Sequence, residues 1–283
     1  VDVLTGRTWP PIQTGTWPKA IAVTPDRARA YVANYGDGTI TTIDTSSGSP
    51  GRAIKTGSGP VAIAITPDGA AACVANEADG TVTVIDLASG SPCGTISTGR
   101  RPYAIAIAPD GAAAYVANEG EGTITPVSLG SAAPRVAGPS LPVGKGPVAI
   151  AISADGRTGY VANHGDGTVT PVSLETWTAG VPIVVGKRPV AVAVAPRGTT
   201  VYVANHGDGT VTPIRLAPHA PPAAGPPVSV GKRPYAIAIS TDGTAAYVAN
   251  FGDGTITPVS LATGMPGPPI AVGKRPWAIA FIA

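Results

Sequence analysis

A short hydrophobic alternation recurs along the whole chain. In one copy, Pro102-Tyr-Ala-Ile-Ala-Ile-Ala puts alanines and larger apolar residues at alternate positions, which is the period of a β-strand. The opening proline recurs at intervals of 42 or 45 residues, at Pro18, Pro60, Pro102, Pro147, Pro189, Pro234 and Pro276. A fixed period of this length indicates a repeat architecture.

Each repeat predicts four strands, which we name A to D. Strand A is the alternation, and a Pro-Asp-Gly turn leads to strand B, which ends in Tyr-Val-Ala-Asn or Cys-Val-Ala-Asn. A glycine-rich hairpin leads to strand C, and a looser Gly/Pro/Ser segment leads to a short strand D. Four antiparallel strands in about 42 residues form one propeller blade, whose faces are buried only when blades stack radially. We predict a single all-β propeller domain over residues 1–283.

Strand A and the B–C hairpin occur in unequal numbers. The asparagine that ends strand B occurs only six times, at Asn34, Asn76, Asn118, Asn163, Asn205 and Asn250. The tail from Pro276 supplies 8 residues of a seventh unit and the segment before Pro18 supplies 17, which leaves 17 of the 42 missing. We therefore predict a seven-bladed propeller with an incomplete seventh blade, its A strand from the C-terminus and its D strand from the N-terminus. Two alternatives stay open: a truncated chain, or six blades with a surplus A/D pair.

An incomplete blade would leave unpaired backbone groups and apolar side chains, which proteins usually cover. We expect another protein subunit to insert a β-strand there. The residues that would contact this partner are Val1, Val3, Trp277, Ile279, Phe281 and Ile282. Strand exchange between two copies of the chain is the alternative.

Three sequence patterns carry a family resemblance. The series Pro-x-Ala-Ile-Ala-x-x-Pro-Asp-Gly, Tyr-Val-Ala-Asn and Gly-Thr-Val-Thr resembles the YVTN family of β-propeller repeats over essentially the whole chain. The Ala/Gly/Pro-rich repeats and the missing hairpin also resemble the lectin-like propeller subunits of secreted, umbrella-shaped antibacterial toxin particles. That resemblance implies an adaptor protein that fills the blade and a propeller that binds a target cell surface.

Prolines distinguish four repeats from the family pattern. They interrupt strand C at Pro126, Pro171, Pro213 and Pro258. Since proline is normally confined to sheet edges or bulges, we expect short or bulged pairing between strands C and D in these blades.

Composition narrows the functional classes. The chain has 37 Gly and 31 Pro in 283 residues, but 43% hydrophobic residues allow it to build a core. Only 13% of residues are charged and the net charge is +2, which makes nucleic acid an unexpected partner. No apolar run approaches the roughly 20 residues that span a bilayer. The chain starts with Val1 and has only Met265, so we expect a processed or trimmed, secreted protein.

The D–A and B–C connections of a propeller reach the same face, where we place the candidate site. Arginines precede several strand-A prolines, aromatic residues follow some of them, and each B–C hairpin carries an acid: Asp37, Asp79, Glu121, Asp166, Asp208 and Asp253. One interpretation is a set of structural ion pairs in which each Asp shapes its own turn. The other is an aromatic-rimmed cavity for a hydroxyl-rich or anionic ligand such as a cell-surface glycan. The ligand-binding candidates are Trp17, Arg101, Tyr103, Arg188, Arg233, Tyr235, Arg275, Trp277, His164 and His206.

The residue after each repeated Asn varies within a fixed frame, as Tyr35, Glu77, Glu119, His164, His206 and Phe251, which indicates exposure and a role in specificity. His164 and His206 could share a metal with Asp166 and Asp208, but structural zinc sites need four closely spaced ligands. The lone hairpin carboxylates also make calcium a weak candidate. We expect no metal and no cofactor.

Motifs of nucleophilic or phosphate chemistry are absent from the sequence, so we expect no enzyme activity. A structural surface or matrix propeller and a propeller lyase or hydrolase are the alternatives. The two cysteines, Cys73 and Cys93, favour a disulfide in an exported protein, but an intervening strand would hold them too far apart. Their pairing stays open.

Overall fold

The computed structural model describes residues 10–130, 137–217, 220–240 and 242–279. Six repeats fold as antiparallel sheets in which strand A pairs with B, B with C, and C with D. The protein is therefore an all-β propeller, as the repeat predicts.

The first two blades have complete outer strands. Blade one contains β1 (Pro18–Val23), β2 (Arg29–Asn34), β3 (Thr39–Asp44) and β4 (Pro50–Lys55). Blade two contains β5 (Pro60–Ile65), β6 (Ala71–Asn76), β7 (Thr81–Asp86) and β8 (Ser91–Ser97). Strand D runs beside most of strand C in both blades.

The other four blades have short or divided outer strands. Blade three contains β9 (Pro102–Ile107), β10 (Ala113–Asn118), β11 (Thr123–Ser128) and β12 (Leu141–Pro142). Blade four contains β13 (Pro147–Ile152), β14 (Thr158–Asn163), β15 (Thr168–Ser173), β16 (Thr178–Ala179) and β17 (Ile183–Val184). Blade five contains β18 (Pro189–Val194), β19 (Thr200–Asn205), β20 (Thr210–Arg215), β21 (Ala223–Ala224) and β22 (Val228–Ser229). Blade six contains β23 (Pro234–Ile239), β24 (Ala245–Asn250), β25 (Thr255–Ser260) and β26 (Ile270–Ala271).

The prolines of strand C account for this difference, and the expected short pairing is confirmed. At each proline a glycine N–H of the D segment donates to the proline carbonyl at 2.7–2.8 Å, as Gly180 does to Pro171. Only short stretches of pairing lie on either side, as in blade four, where Val172 lies opposite Ala179 and Thr168 lies opposite Val184.

The blades pack face to face in chain order. The innermost strands contact each other in the series β1, β5, β9, β13, β18 and β23. Each interface buries branched side chains of both blades; between blades two and three, Val82 and Val84 pack with Val116 and Val127. All four valines have no exposed surface, so burial of apolar faces holds neighbouring blades together.

The prediction of seven blades with an incomplete seventh is wrong, because the structure contains six complete blades. Among the described residues, neither 10–17 nor 272–279 forms a strand. In the complete blades, strand A pairs only with B, and strand D only with C. Among the described residues, no B or C strand of a seventh unit is present to pair with residues 10–17 or 272–279.

The correction also affects the residues assigned to a docked partner. Val1, Val3, Phe281 and Ile282 lie outside the described residues. Trp277 and Ile279 are partly buried. Within the described part of the chain, no packing comparable to that between consecutive blades joins β23 to β1.

Cys73 is buried on β6 and Cys93 is exposed on β8, with β7 between them. The structure shows no disulfide between them. In the described ranges, no helix is long and apolar enough to cross a membrane.

Candidate functional site

A buried asparagine organises each B–C hairpin. In blade four, Asn163 Nδ2 donates to the hydroxyls of Thr168 at 3.1 Å and Thr170 at 2.8 Å. Thr170 Oγ1 then donates to the Val143 carbonyl at 2.8 Å, which ties the hairpin to the segment that leads into strand A. All six of these asparagines have no exposed surface. The network is therefore a structural frame under the loop face.

The hairpin acids belong to the same frame. Asp166, Asp208 and Asp253 each accept a hydrogen bond from the backbone N–H of a lysine in the D–A loop, at 2.6–2.7 Å. Asp37 accepts one from Thr16, which holds its pKa below the usual range. These bonds join the B–C hairpin to the D–A loop in blades one, four, five and six, so these aspartates have a structural role on the loop face.

The residue before each strand-A proline has a positive φ. The seven values lie between 53° and 66°, at Trp17, Gly59, Arg101, Gly146, Arg188, Arg233 and Arg275. For arginine and tryptophan this left-handed conformation costs about 1–2 kcal/mol. In the six blades, its carbonyl accepts the backbone N–H of the variable hairpin residue, as Arg188 does from His206 at 3.0 Å. The frame therefore holds each arginine beside one variable side chain.

The residue after each proline lies at a β-bulge, where the A–B register shifts by one. Bulges redirect side chains, and here they point toward the propeller axis. Together with Trp277 of the tail, these side chains line a central cavity of about 200 Å³: Lys19, Val61, Tyr103, Val148, Val190 and Tyr235.

Two tyrosines meet across this cavity. The hydroxyls of Tyr103 in blade three and Tyr235 in blade six are 2.7 Å apart. Burial raises the pKa of both phenols, so each stays protonated. Trp277 packs beside Tyr235 with ring centroids 4.1 Å apart, and Lys19 Nζ lies 3.6 Å from the Trp277 centroid. The tail therefore places an aromatic side chain at the cavity between blades six and one.

The charged residues divide the loop face into two arcs. We call Tyr35, Glu77, Arg101 and Glu119 the paired arc. Arg101 Nη2 lies 2.9 Å from Glu77 Oε1, and Arg101 Nη1 lies 2.9 Å from Glu119 Oε2. The carboxylate of Glu77 also raises the pKa of Tyr35. Both acids thus neutralise the single arginine between them.

The second arc has arginines and no such acids. We call His164, Arg188, His206, Arg233, Phe251 and Arg275 the cationic arc. Among the described residues, none of its three arginines forms an ion pair with a carboxylate. Burial is the main cause that lowers the pKa of both histidines, and the charge of Arg188 lowers both further. The histidines are therefore mostly neutral near pH 7, whereas the arginines stay charged.

A shallow depression of about 580 Å³ lies between the loops of blades five and six. Its polar lining includes His206, Asp208, Lys232, Arg233 and Asp253. Guanidinium and ammonium groups can donate to carboxylates and hydroxyls, and the Asp oxygens can accept from hydroxyls. The lining can therefore form hydrogen bonds with both carboxylates and hydroxyls.

The predicted ligand residues fall into four groups. The structure brings His164, Arg188, His206, Arg233 and Arg275 into the cationic arc. It places Tyr103, Tyr235 and Trp277 at the central cavity. Arg101 is already paired with acids. Trp17 is 68% exposed and precedes strand A of blade one.

The list of ligand-binding candidates omitted five residues that the structure places at the site. Lys19, Glu77, Glu119, Phe251 and Tyr35 all interact with predicted site residues. They occupy the same two repeat positions as the predicted ones, either after the proline or after the asparagine. Treating those positions as complete rings would have found them.

Metal ligands do not converge in the described part of the chain, where no three His, Cys, Asp or Glu side chains form a metal-binding group.

Known proteins resemble this chain in fold. A structure of Kuenenia stuttgartiensis hydrazine synthase matches with a TM-score of 0.82 and 21% identity, over 94% of this chain and 90% of that one. A “putative 6-phosphogluconolactonase” from Bacteroides uniformis matches with a TM-score of 0.83 and 16% identity, over 93% of this chain and 88% of that one. The Cps50 (Swd1) β-propeller domain of Myceliophteria thermophila matches with a TM-score of 0.79 and 13% identity, over 93% of this chain and 88% of that one.

These identities support the propeller fold and nothing finer. No protein-family model matches the chain. No curated protein matches it either.

Proposed function

We propose that this propeller is a non-enzymatic recognition module that binds an anionic, hydroxyl-rich saccharide on its loop face. One observation carries the proposal: Arg188, Arg233 and Arg275 form no ion pair with an acid among the described residues, whereas Arg101 is held between two. Their backbone is held in a left-handed conformation that arginine does not favour. Strain of this kind is typical of functional positions.

Saccharide chemistry fits other groups on the loop face. A guanidinium binds a carboxylate through two parallel hydrogen bonds, which gives both charge and direction. Exposed aromatic faces such as that of Trp17 can stack on sugar rings. Asp208 and Asp253 lie in the same depression as Arg233, and their oxygens can accept hydrogen bonds from sugar hydroxyls.

A secreted, lectin-like subunit of an antibacterial toxin particle is the narrower form of this proposal. It depends on the resemblance of the repeats to YVTN propellers and of the overall sequence character to umbrella-particle subunits. An extracellular location belongs to the same proposal. A protein partner stays a prediction, and we assign it no docking site because the incomplete blade that motivated it is not present.

A glycan array with acidic and neutral saccharides tests the proposal. We expect the wild-type protein to bind acidic glycans and the double variant Arg188→Ala/Arg233→Ala to lose that binding. Arg157→Ala/Arg197→Ala is the matched control, since both arginines are exposed and lie in A–B turns at the other end of the blades. Equal loss in both double variants would indicate unspecific charge attraction and contradict the proposal.

Two alternatives give other results in the same experiment. A structural surface or matrix propeller would bind no glycan. A lyase or hydrolase would release shorter products when incubated with the bound glycan, which chromatography of the supernatant detects. We expect binding without product.

A further inference from the structure

Blades four and five carry the same hairpin sequence. His-Gly-Asp-Gly-Thr-Val-Thr-Pro occurs at 164–171 and again at 206–213. Each hairpin is followed, at the start of the next blade, by Gly-Lys-Arg-Pro, at 186–189 and 231–234. The same His, Asp, Lys and Arg positions therefore occur at two adjacent blade junctions.

The junctions also have the same backbone geometry. The φ angles of Arg188 and Arg233 are 54° and 53°. The carbonyls of these arginines accept the N–H of the next variable residue at 3.0 Å in both cases. The lysine N–H groups donate to Asp208 and Asp253 at 2.6 and 2.7 Å. The arginine, lysine and aspartate of the two junctions therefore have the same backbone geometry.

Other junctions on the face differ. Between blades three and four, Glu119 replaces the histidine and Gly146 replaces the arginine. After blade six, Phe251 replaces the histidine and no further hairpin follows among the described residues. Only two complete copies of this site therefore occur in the described part of the loop face.

We propose that these junctions are two equivalent subsites that bind charged units of one linear, carboxylated polysaccharide. This inference rests on the proposed function and extends it from a single saccharide to a polymer. The first subsite consists of His164, Asp166, Lys187, Arg188 and Asp208, and the second of His206, Asp208, Lys232, Arg233 and Asp253.

Asp208 belongs to both subsites, so a chain that leaves one enters the other without crossing another blade. In each subsite the arginine binds a carboxylate and the aspartates accept sugar hydroxyls. The arginines of both subsites are exposed, so one sugar unit binds weakly. A ligand that reaches both subsites gains affinity because its second contact is intramolecular.

Oligogalacturonates of one to ten units are the probe, because they carry one carboxylate per sugar. Isothermal titration with the full chain should show weak binding of the monomer and a rise of at least ~100-fold at the length that bridges the subsites. Malto-oligosaccharides of equal length control for hydroxyl groups alone. Inorganic polyphosphate controls for charge alone.

Single variants separate two subsites from one. Arg188→Ala and Arg233→Ala should each remove the gain with length and leave monomer-like affinity at the remaining subsite. Their effects should be similar, and the double variant should lose binding of every length. Arg197→Ala, at the opposite end of blade five, should bind like wild type.

Three outcomes would overturn the inference. If affinity does not rise with length, or only one arginine matters, a single subsite binds and the proposed function survives alone. If polyphosphate binds as tightly as oligogalacturonate, charge alone accounts for the interaction. If no acidic saccharide of any length binds, both this inference and the anionic part of the proposed function are wrong.

Discussion

The paired arc and the cationic arc have the same backbone and use their arginines differently. In both, an arginine with positive φ follows a D–A loop glycine by two residues, and its carbonyl accepts a hairpin N–H. In the paired arc the side chains from two hairpins are Glu77 and Glu119, which neutralise Arg101. In the cationic arc the corresponding side chains are His164, His206 and Phe251.

This comparison separates the residues that hold the loops in place from the residues that set the charge of the loop face. The Asn–Thr–carbonyl network and the Asp-to-backbone bond fix where each loop lies. A single residue after the asparagine then decides whether the neighbouring arginine is neutralised or available. A repeat can therefore change the charge of its part of the loop face by one substitution.

The largest predicted effect removes the frame itself. Asn205→Ala in the cationic arc deletes two hydrogen bonds from a fully buried side chain, and Asn118→Ala in the paired arc deletes three. We expect either change to lower the free energy of unfolding by about 2–3 kcal/mol. Equilibrium denaturation with urea measures both values.

Equal losses in the two arcs would support a common frame. We expect Asp208→Asn to cause a smaller loss of stability. The Asp208 carboxylate is exposed, and the amide oxygen of an asparagine at this position can still accept the Lys187 N–H. A much larger loss for Asn205→Ala than for Asn118→Ala would contradict the comparison, since the frame would then differ between the arcs.

Much of this frame could be predicted from the sequence. The 42-residue period identifies the blades, and the prolines of strand C predict the shortened D pairing that Pro171 and Gly180 display. Placing both loop sets on one face also follows from propeller topology. These features depend on the pairing of neighbouring strands, and a repeated sequence pattern indicates that pairing directly.

The positive φ of the arginines could not be predicted from arginine itself. Arginine disfavours this conformation, and a residue before proline is normally extended. The available signal was Gly59 and Gly146, which occupy the same repeat position and tolerate positive φ. It becomes informative only when all seven positions are compared.

Long-range features were also beyond local reasoning. The Tyr103–Tyr235 contact joins residues 132 positions apart and depends on the curvature of the ring. The blade count was wrong because the repeat of strand A was taken as proof of a strand. Pro276 and Trp277 follow the sequence pattern of strand A, but the described residues contain no strand B of the same unit to pair with them.

The second prediction converts part of the cationic arc to the chemistry of the paired arc. His206→Glu should place a carboxylate between Arg188 and Arg233, because the charges of both arginines already influence this histidine. We expect affinity for oligogalacturonate to fall about 5- to 10-fold. His206→Phe, which copies Phe251, is the control that removes the histidine without adding charge. A similar fall in both variants would show that charge is not the cause.

The third prediction concerns the link between the arcs. Tyr103→Phe and Tyr235→Phe each delete the hydroxyl bond across the central cavity, and each should destabilise the protein by about 1 kcal/mol. The double variant should lose little more than either single one, since both remove the same bond. Additive losses measured by thermal unfolding would mean that the hydroxyls act separately.

The smallest predicted effect is a pH dependence that belongs to the cationic arc alone. The pKa values of His164 and His206 are lowered in the folded protein by burial and by Arg188, with Arg233 acting on His206 and Glu119 opposing the shift at His164. Their contribution to folding is therefore complete above the unfolded pKa near 6.5 and is lost as pH falls below it. Protonation adds positive charge to the arc over the same range, while galacturonate stays ionised.

We therefore expect thermal stability to fall between pH 7.5 and pH 5.5 while affinity for oligogalacturonate rises ~3-fold. Isothermal titration and thermal unfolding in matched buffers measure the two trends. His164→Gln/His206→Gln should flatten both, because glutamine keeps hydrogen-bonding capacity and does not titrate. The paired arc has no histidine, so Glu77→Gln should leave both slopes in place. An unchanged pH response in the histidine variant would assign the effect to other groups and remove the histidines from the ligand site.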